Sequence, residues 1–316
     1  MSRLYNDQDI LSISKPCSIQ YKKPLIMGIL NITKDSFSDG NKFTDIDAAT
    51  QHANKMVNEG AAIIDIGGES TRPQANAVDV DEEIKRVLPV ISILRNSRQF
   101  KSKTENTESS FHTENADTSL IHKTSHNTNK PLISVDTYKS QVAKEAIKAG
   151  ADIINDIYAL RYDGSMVNVL KDFPHSKIIL MHMQGTPNTM QLNPKYENVI
   201  KEILDFFKER IDYCLSNGIS ENRIIIDPGI GFGKTFEHNI IILKEIERFH
   251  CFNLPILLGA SRKSFINHIY YSSPQERLVG SLASSVIACL KKIDIVRVHD
   301  VKEHRDLINS LFWMLK

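Results

Sequence analysis

Polar side chains recur along this chain at the points where short apolar runs end. The residues at these points are Asn31, Glu69, Thr71, Arg72, Asp136, Asn155, Met181, His182, Asp227, Lys263, Arg297 and His299. Together they supply carboxylates, amides, a lysine and arginines, which can hold a polar ligand through several hydrogen bonds. One such residue alone usually only caps a loop. Because nearly every apolar run ends this way, we interpret the set as one binding site.

One part of the set suits a flat heterocycle. Its candidate residues are Asp136, Asn155, Asp227, Lys263, Met181 and Phe232. The aspartates and the asparagine offer acceptors and an amide donor to a ring with several N–H groups, and the lysine can donate to a ring carbonyl or nitrogen. The methionine and the phenylalanine could sandwich the ring between them.

A second part of the set suits an anion. Its candidate residues are Asn31, Thr71, Arg72, Arg297 and His299. Arginine offers forked donors to phosphate, and an amide oxygen can ligate a hard cation that bridges phosphate oxygens. These residue types therefore indicate a phosphate site beside the ring site.

Structural roles remain possible for several of these residues. Both aspartates could form ion pairs with Lys263 or Arg297 that only neutralise charge at the rim. Phe232 could belong to the core. For His182 we favour a hydrogen-bonded histidine packed on its strand.

Short apolar runs alternate with helical patterns, which predicts a parallel sheet with right-handed crossovers. The predicted strands are 25–30, 61–66, 132–135, 152–154, 177–180, 223–226, 255–258 and 293–296. Eight such units favour a closed (β/α)₈ TIM barrel, in which the carboxyl ends of the strands form the active-site rim. No G-x-G-x-x-G follows the first strand, which lowers the case for an open dinucleotide-binding sheet.

Helices are predicted at 45–58, 80–95, 139–149, 196–216 and 301–315. Asp45 is the predicted N-cap of the first, and Gly60 its stop. The second is expected to be interrupted near Pro89.

Two segments lie outside this alternation. Residues 1–23 form a predicted N-terminal arm across the bottom of the barrel, and 24–316 form the barrel itself. Residues 97–130 are rich in Ser, Thr, Asn, Lys and Glu, with little apolar periodicity. We interpret them as a disordered insertion before the third strand, away from the mouth of the barrel.

Composition excludes several functions. With 39 basic and 38 acidic residues, the chain has no overall charge for binding nucleic acid. Four scattered cysteines without a C-x-x-C pair are typical of reduced thiols. No signal-peptide pattern and no apolar run of about 20 residues is present, so we expect a cytoplasmic protein without membrane contact.

Specific motifs run in order from residue 27 to the last helix. They include Gly-Ile-Leu-Asn-Ile-Thr at 28–33, Asp-Ser-Phe-Ser-Asp-Gly at 35–40, and Asp-Ile-Gly-Gly-Glu-Ser-Thr-Arg-Pro at 65–73. Others are Ser-Val-Asp-Thr at 134–137, Asn-Asp at 155–156, Met-His-Met-Gln-Gly at 181–185, Asp-Pro-Gly at 227–229, Ser-Arg-Lys-Ser at 261–264 and Arg-Val-His-Asp-Val at 297–301. In these motifs the chain resembles the dihydropteroate synthases, pterin-binding TIM-barrel enzymes of folate synthesis that are targets of sulfonamides.

The resemblance implies condensation of 6-hydroxymethyl-7,8-dihydropterin diphosphate with 4-aminobenzoate, giving 7,8-dihydropteroate and diphosphate. The ring site above would hold the pterin. Asn31 would ligate Mg²⁺ on the diphosphate, with Thr71, Arg72, Arg297 and His299 around that anion. The partners would be small molecules, and a homodimer is expected.

The second substrate would be bound by Phe37, Pro73 and Ser264. The Ser264 site lies at a predicted helix start, where free N–H groups favour a carboxylate. Asp35 would lie near the developing positive charge of the pterin. The resemblance thus implies catalytic roles for Asp35, Arg72, Lys263, Arg297 and His299.

Three alternatives remain open at this stage. A methyltetrahydrofolate-dependent methyltransferase module would share the pterin pocket but has no use for a diphosphate site. A Schiff-base aldolase would use Lys263 as nucleophile, although the carboxylates around it argue against a lowered lysine pKa. A non-catalytic pterin-binding paralogue is the third. Lys34, where the family usually has proline, and Asn41, where glycine is usual, leave closure of the first loop in question.

Overall fold

The structure is a computed structural model that describes residues 21–32, 42–70, 77–97 and 130–315. In the first helix, side chains are described from Ile46 onward. All structural statements below concern these residues.

Eight parallel strands form one sheet. They are β1 Leu25–Asn31, β2 Ile63–Gly67, β3 Leu132–Asp136, β4 Ile153–Asp156, β5 Lys177–Met181, β6 Ile224–Asp227, β7 Leu257–Leu258 and β8 Ile295–Val298. Their order is β6-β5-β4-β3-β2-β1-β8-β7. The two outer strands meet where Ile226 bridges Ile256 in parallel, and the Ile226 N–H donates to the Pro255 carbonyl at 3.0 Å. The barrel therefore closes, which confirms the predicted (β/α)₈ fold.

Helices cover the outside of the barrel. The α-helices are α1 Lys42–Asn58, α2 Val80–Asn96, α3 Ser140–Ala149, α4 Met166–Asp172, α5 Val199–Ser216, α6 Phe236–Glu245, α7 Phe265–Ile269, α8 Leu278–Leu290 and α9 Val301–Leu315. Short 3₁₀ helices precede β6, follow α6 and precede α8. Each long helix turns an apolar stripe toward the strands, as α2 does with Val87, Val90 and Leu94.

Several predicted boundaries were wrong. The strand β8 lies at Ile295–Val298 rather than 293–296, and most other strands run one or two residues past their predicted ends. Aspartate and asparagine disfavour strands, but pairing with both neighbours keeps the backbone extended through them. Asp136, Asn155 and Asp227 are therefore strand residues, not loop residues.

Two helix predictions also need correction. The helix α1 begins at Lys42, three residues before the predicted cap at Asp45, since aspartate is favourable throughout a first turn. Pro89 does not interrupt α2, which continues on both sides of it because apolar residues on both sides pack against the barrel. The stop at Gly60 is confirmed, with a left-handed φ of 110°.

The barrel interior is filled below the rim by one apolar layer. Its members are Met27, Ile63, Ile153, Ile179, Ile225, Leu257 and Ile295. At most 1% of each side chain is exposed. This layer seals the barrel, so a ligand can enter only from the carboxyl ends of the strands.

The two segments predicted outside the barrel are described only in part. Residues 21–23 join the barrel bottom, where the Lys22 ammonium pairs with Asp294 at 2.6 Å and the Tyr21 hydroxyl donates to the Phe312 carbonyl at 3.0 Å. Residues 1–20, and 97–130 apart from their two ends, lie outside the described residues. Among the described helices, none is long and apolar enough to cross a bilayer.

Gly229 offers a test of the tight turn after β6. Its φ is 68°, and a Cβ there would lie 2.0 Å from the His182 carbonyl oxygen. We expect Gly229→Ala to lower the free energy of unfolding by at least about 2 kcal/mol, from left-handed strain and the clash. In urea denaturation the matched Gly164→Ala, with no atom within 4 Å, should stay within about 0.5 kcal/mol of the parent. Equal stability of the two variants would contradict this account of the turn.

Candidate active site

The polar residues sit one layer above the apolar plug. A strand turns every second side chain inward. The next inward layer toward the rim is therefore formed by the residues two positions after Ile63, Ile153, Ile225 and Ile295. These next positions are Asp65, Asn155, Asp227 and Arg297. The three side chains Asp65, Asn155 and Asp227 are at most 5% exposed. The period-two pattern thus builds a polar pocket floor on an apolar base.

Arg297 stands between two carboxylates. Its Nε donates to Asp65 Oδ2 at 2.6 Å, and its Nη2 donates to Asp136 Oδ2 at 2.8 Å. The Asn155 amide donates to the same Asp65 oxygen at 3.1 Å. Burial acts to lower the pKa of Arg297, but the two carboxylates raise it overall. From sequence, an ion pair of a rim aspartate with Lys263 or Arg297 was an alternative to ligand binding. Asp136 does form such a pair with Arg297.

Burial makes Asp136 a weak acid. It raises the pKa of this carboxyl to about 7, against the opposing charge of Arg297. Negative charges on Asp65, Glu83 and Asp156 act in the same direction as burial. Asp136 therefore changes charge near neutral pH.

Lys263 faces Asp227 across the pocket. Its ammonium donates to the Ile230 carbonyl and lies 4.6 Å from the centre of the Phe232 ring. Burial lowers the pKa of Lys263 to about 8, although Asp227 opposes this. The expectation that nearby carboxylates prevent a lowered pKa was wrong, because desolvation outweighs their attraction. Burial likewise raises the pKa of Asp227.

An apolar wall flanks these groups. Met181 belongs to a buried cluster with Ile157, Met183 and Met190, and Phe232 packs against it. The two predicted ring-packing residues therefore lie on the same wall. Polarizable sulfur and an aromatic face suit a flat ligand.

The predicted anion residues are only partly described. Asn31 ends β1, and in the described part of the chain no hydrogen bond occupies its side-chain amide; a Cβ on Gly67 would lie 3.4 Å from its Oδ1. His299 Nδ1 lies 3.1 Å from the Ser261 hydroxyl. Exposed Ser264 directly precedes α7. Asp35, Phe37, Thr71, Arg72 and Pro73 lie outside the described residues.

The described residues do not form a metal site by themselves. Among them, no group of three or more His, Cys, Asp or Glu side chains could hold an ion. Asn31 offers one oxygen at the rim. That donor fits a hard cation which takes its other ligands from substrate oxygens and water, as Mg²⁺ commonly does.

Sequence reasoning missed Asp65. From sequence it belongs to an apolar strand and has no role, yet in the structure it is fully buried and accepts hydrogen bonds from an arginine and an asparagine. The available signal was a charged residue inside a run of isoleucines and alanines. A buried charge of this kind requires a partner.

A second missed group lies behind the rim. Lys139 donates to Glu69, to Glu83 Oε2 at 2.6 Å and to the Val78 carbonyl at 2.6 Å, and the Tyr138 hydroxyl donates to Glu69 at 2.8 Å. Burial acts to lower the pKa of Lys139, but its bonds to the two glutamates raise it. This cluster ties the segment after β3 to both ends of the segment between β2 and α2.

A third buried group supports the loop after β6. Lys234 lies 2.9 Å from His182 Nδ1 and donates to the Phe232 carbonyl at 2.9 Å. The His182 ring packs edge-on against Phe206, and burial lowers the pKa of His182 well below its ordinary value. His182 is thus the packed, hydrogen-bonded histidine that the sequence favoured.

The geometry agrees with what sequence comparison finds. The sequence profile of the family described as "Pterin binding enzyme" matches residues 27–103 and 115–299. A dihydropteroate synthase from Escherichia coli (strain K12) is 43% identical over 286 residues, which span 90% of this chain and 90% of that protein.

Solved structures give the same result. The Yersinia pestis dihydropteroate synthase in a sulfonamide drug complex superposes with a TM-score of 0.77 at 38% identity, covering 92% of this chain and 94% of that one. The Xanthomonas albilineans enzyme in complex with 7,8-dihydropteroate gives a TM-score of 0.74 at 32% identity, with coverage of 92% and 94%. This chain therefore belongs to the dihydropteroate synthases, a family of pterin-binding transferases.

The Lys139 cluster can be tested by its stability. We expect Lys139→Met to lower the free energy of unfolding by about 3–5 kcal/mol, because two buried carboxylates lose their counter-charge. The loss should shrink as pH falls, because burial raises the pKa of Glu83 and its protonation removes a charge that Lys139 balances. Denaturant titration of Lys148→Met, which removes an exposed pair with Glu145 at 2.8 Å, should show about 0–1 kcal/mol. Similar losses in both variants would refute the role of the cluster.

Proposed function

We propose that this chain joins 6-hydroxymethyl-7,8-dihydropterin diphosphate to 4-aminobenzoate, forming 7,8-dihydropteroate and diphosphate in folate synthesis. The observation that carries the proposal is the pocket of Asp136, Asn155, Asp227 and Lys263 at the mouth of the barrel. Its donors and acceptors match the edge of a pterin ring, and its apolar wall matches one face of that ring. The relative solved with 7,8-dihydropteroate supports this product.

The pterin is held at its polar edge. Ionised Asp136 and Asp227 accept hydrogen bonds from the N–H groups of the ring, and the Asn155 amide can donate as well as accept. Protonated Lys263 donates to a ring carbonyl or nitrogen. Met181 and Phe232 lie on one wall of the pocket and contact one face of the ring, which excludes water there and strengthens these bonds.

The diphosphate lies beside the pterin at the rim. Asn31, Thr71, Arg72, Arg297 and His299 surround it in this proposal. Arg297 already shares its charge with Asp65 and Asp136, so Arg72 supplies the second positive group. Asn31 would hold Mg²⁺, which when bound neutralises diphosphate charge and makes the diphosphate a better leaving group.

The aminobenzoate occupies the outer part of the site. Its carboxylate is assigned to Ser264 at the start of α7, and its ring to Phe37 and Pro73. The support for this assignment is the exposed position of Ser264 immediately before α7. We propose that sulfonamides compete for the same place; the Yersinia pestis relative has been solved in a sulfonamide drug complex.

The reaction needs no protein nucleophile. The bond between the pterin methylene and the diphosphate oxygen breaks, and the dihydropterin ring delocalises the positive charge that remains. Asp35 is assigned to stabilise that charge. The aniline nitrogen then forms the new C–N bond and loses a proton to solvent. Preorganised charges around the leaving group supply most of the rate enhancement.

The low pKa of Lys263 favours one rival, a Schiff-base aldolase. Borohydride reduction distinguishes the two mechanisms, since only the aldolase would form a trapped adduct at this lysine. A methyltransferase module or a silent paralogue would bind pterin without releasing diphosphate.

Cellular context is also a proposal. A cytoplasmic location is supported by the free thiols of Cys214, Cys251 and Cys289 among the described residues. A homodimer is supported by apolar side chains exposed on outer helices, including Ile269 and Val279.

Turnover tests the function directly. With dihydropterin diphosphate and 4-aminobenzoate, diphosphate release should require both the aminobenzoate and Mg²⁺, and removal of the metal with EDTA should abolish it. Asn31→Ala should raise the Mg²⁺ concentration for half-maximal rate by about tenfold or more, since metal ligation is weakened. Pterin binding without release would instead identify a silent paralogue.

Pterin affinity should pass through a maximum between about pH 7 and pH 8. Below about pH 7, Asp136 takes up a proton and loses its charge as an acceptor. Above about pH 8, Lys263 loses its proton and its charge. Calorimetric titration with dihydropterin at a series of pH values should therefore show affinity falling along an acidic limb below about pH 7 and along an alkaline limb above about pH 8. Asp136→Asn should flatten the acidic limb, and Lys263→Met the alkaline limb. An affinity independent of pH would contradict both assignments.

A further inference from the structure

Asp65 is a buried carboxylate that accepts hydrogen bonds from two other strands. It lies on β2 with its side chain fully buried. A single oxygen, Oδ2, accepts both from Arg297 Nε at 2.6 Å and from the Asn155 amide at 3.1 Å. The other oxygen, Oδ1, is buried and has no hydrogen-bond partner among the described residues. Both hydrogen bonds of this carboxylate are therefore accepted by one oxygen atom.

The two donors come from strands that do not touch β2. In the sheet order, β3 separates β2 from β4, which carries Asn155, and β1 separates it from β8, which carries Arg297. Asp65 thus joins side chains across the barrel interior. Loss of this link would leave Arg297 with Asp136 as its ion-pair partner, and would leave the Asn155 amide without the acceptor it has now.

We propose that Asp65 is a positioning residue for the synthase reaction. It fixes the positions of Arg297 and Asn155 below the pterin, and it adds a second negative charge, besides that of Asp136, next to Arg297. This inference rests on the proposed function. It adds a residue that touches neither substrate yet sets the position of two that do.

The charge of Asp65 has a separate consequence for Asp136. Five charged groups act on Asp136 or are acted on by it: Arg297, Asp65, Glu83, Asp156 and Lys263. Among these, Asp65 shares Arg297 with Asp136, so it both repels Asp136 and competes for its counter-ion. Removing the charge while keeping the shape should therefore make Asp136 easier to ionise.

Asp65→Asn and Asp65→Ala separate geometry from charge. In Asp65→Asn, the amide oxygen can take the place of Oδ2 and keep both hydrogen bonds, while the NH₂ group takes the place of the unpartnered Oδ1. In Asp65→Ala both bonds are lost. We expect Asp65→Ala to lower kcat/KM by about 100-fold, because misplaced groups cost rates of this order. Asp65→Asn should recover at least about tenfold of that loss, since neutral hydrogen bonds retain part of the strength of charged ones.

The second readout is the pH dependence of dihydropterin binding. In Asp65→Asn the acidic limb should move to lower pH, so that affinity at about pH 6 approaches its value at about pH 8. A merely structural residue would change stability but would leave this limb in place. Because this is a binding measurement, it stays informative even if turnover is absent, which would count against the proposed function alone.

Asp156→Asn is the matched control. Asp156 is equally buried, but its oxygens accept from the backbone N–H groups of Tyr158 and Leu160 at 2.8 Å and 2.7 Å. Removing the charge of Asp156 should move the acidic limb less than Asp65→Asn does. It should also leave kcat/KM well above that of Asp65→Ala. Circular dichroism must show that each variant is folded. The proposal is overturned if Asp65→Asn keeps the parent acidic limb, or if folded Asp65→Ala retains parent kcat/KM.

Discussion

The site depends on one buried arrangement of charge, in which Arg297 is held between Asp65 and Asp136. Three strands, β8, β2 and β3, contribute one residue each. Charges can be kept this deep in a protein only when they are paired and hydrogen-bonded, because desolvation costs several kcal/mol per ion. The closed barrel makes the pairing possible by directing alternate side chains of every strand toward a common axis. The apolar layer below keeps water from reaching the network from the other end.

The same burial sets the chemistry. Desolvation raises the pKa of Asp136 to about 7 and lowers that of Lys263 to about 8. The pKa of an acid rises toward neutral pH and the pKa of a base falls toward it, although each group has a counter-charge nearby. In the proposed function the pocket binds a polar ring, and the low local dielectric strengthens the hydrogen bonds to that ring. An open, solvated rim with the same residues would leave both groups near their ordinary values.

Behind the rim, two lysines organise the loops. Lys139 gathers Glu69, Glu83 and the Val78 carbonyl, and Lys234 joins His182 to the Phe232 carbonyl. Each lysine is buried, and its ammonium group donates its hydrogen bonds to residues of neighbouring segments. Support of this kind keeps ligand-binding side chains in place, since a small displacement is costly to catalysis.

The sequence by itself determined the eight strands, the barrel, the family and the residues that end the strands, because alternating strand and helix patterns and dense motifs are local signals. It did not determine that Arg297 pairs with Asp65 and Asp136, that Lys263 loses proton affinity, or that Asp65 joins Arg297 to Asn155. Those facts depend on which strands face one another and on how deeply each group is buried. Arg297 and Asp65 are 232 positions apart, and only barrel closure brings them within hydrogen-bonding distance. Desolvation likewise has no local pattern, because it arises from everything packed around a side chain.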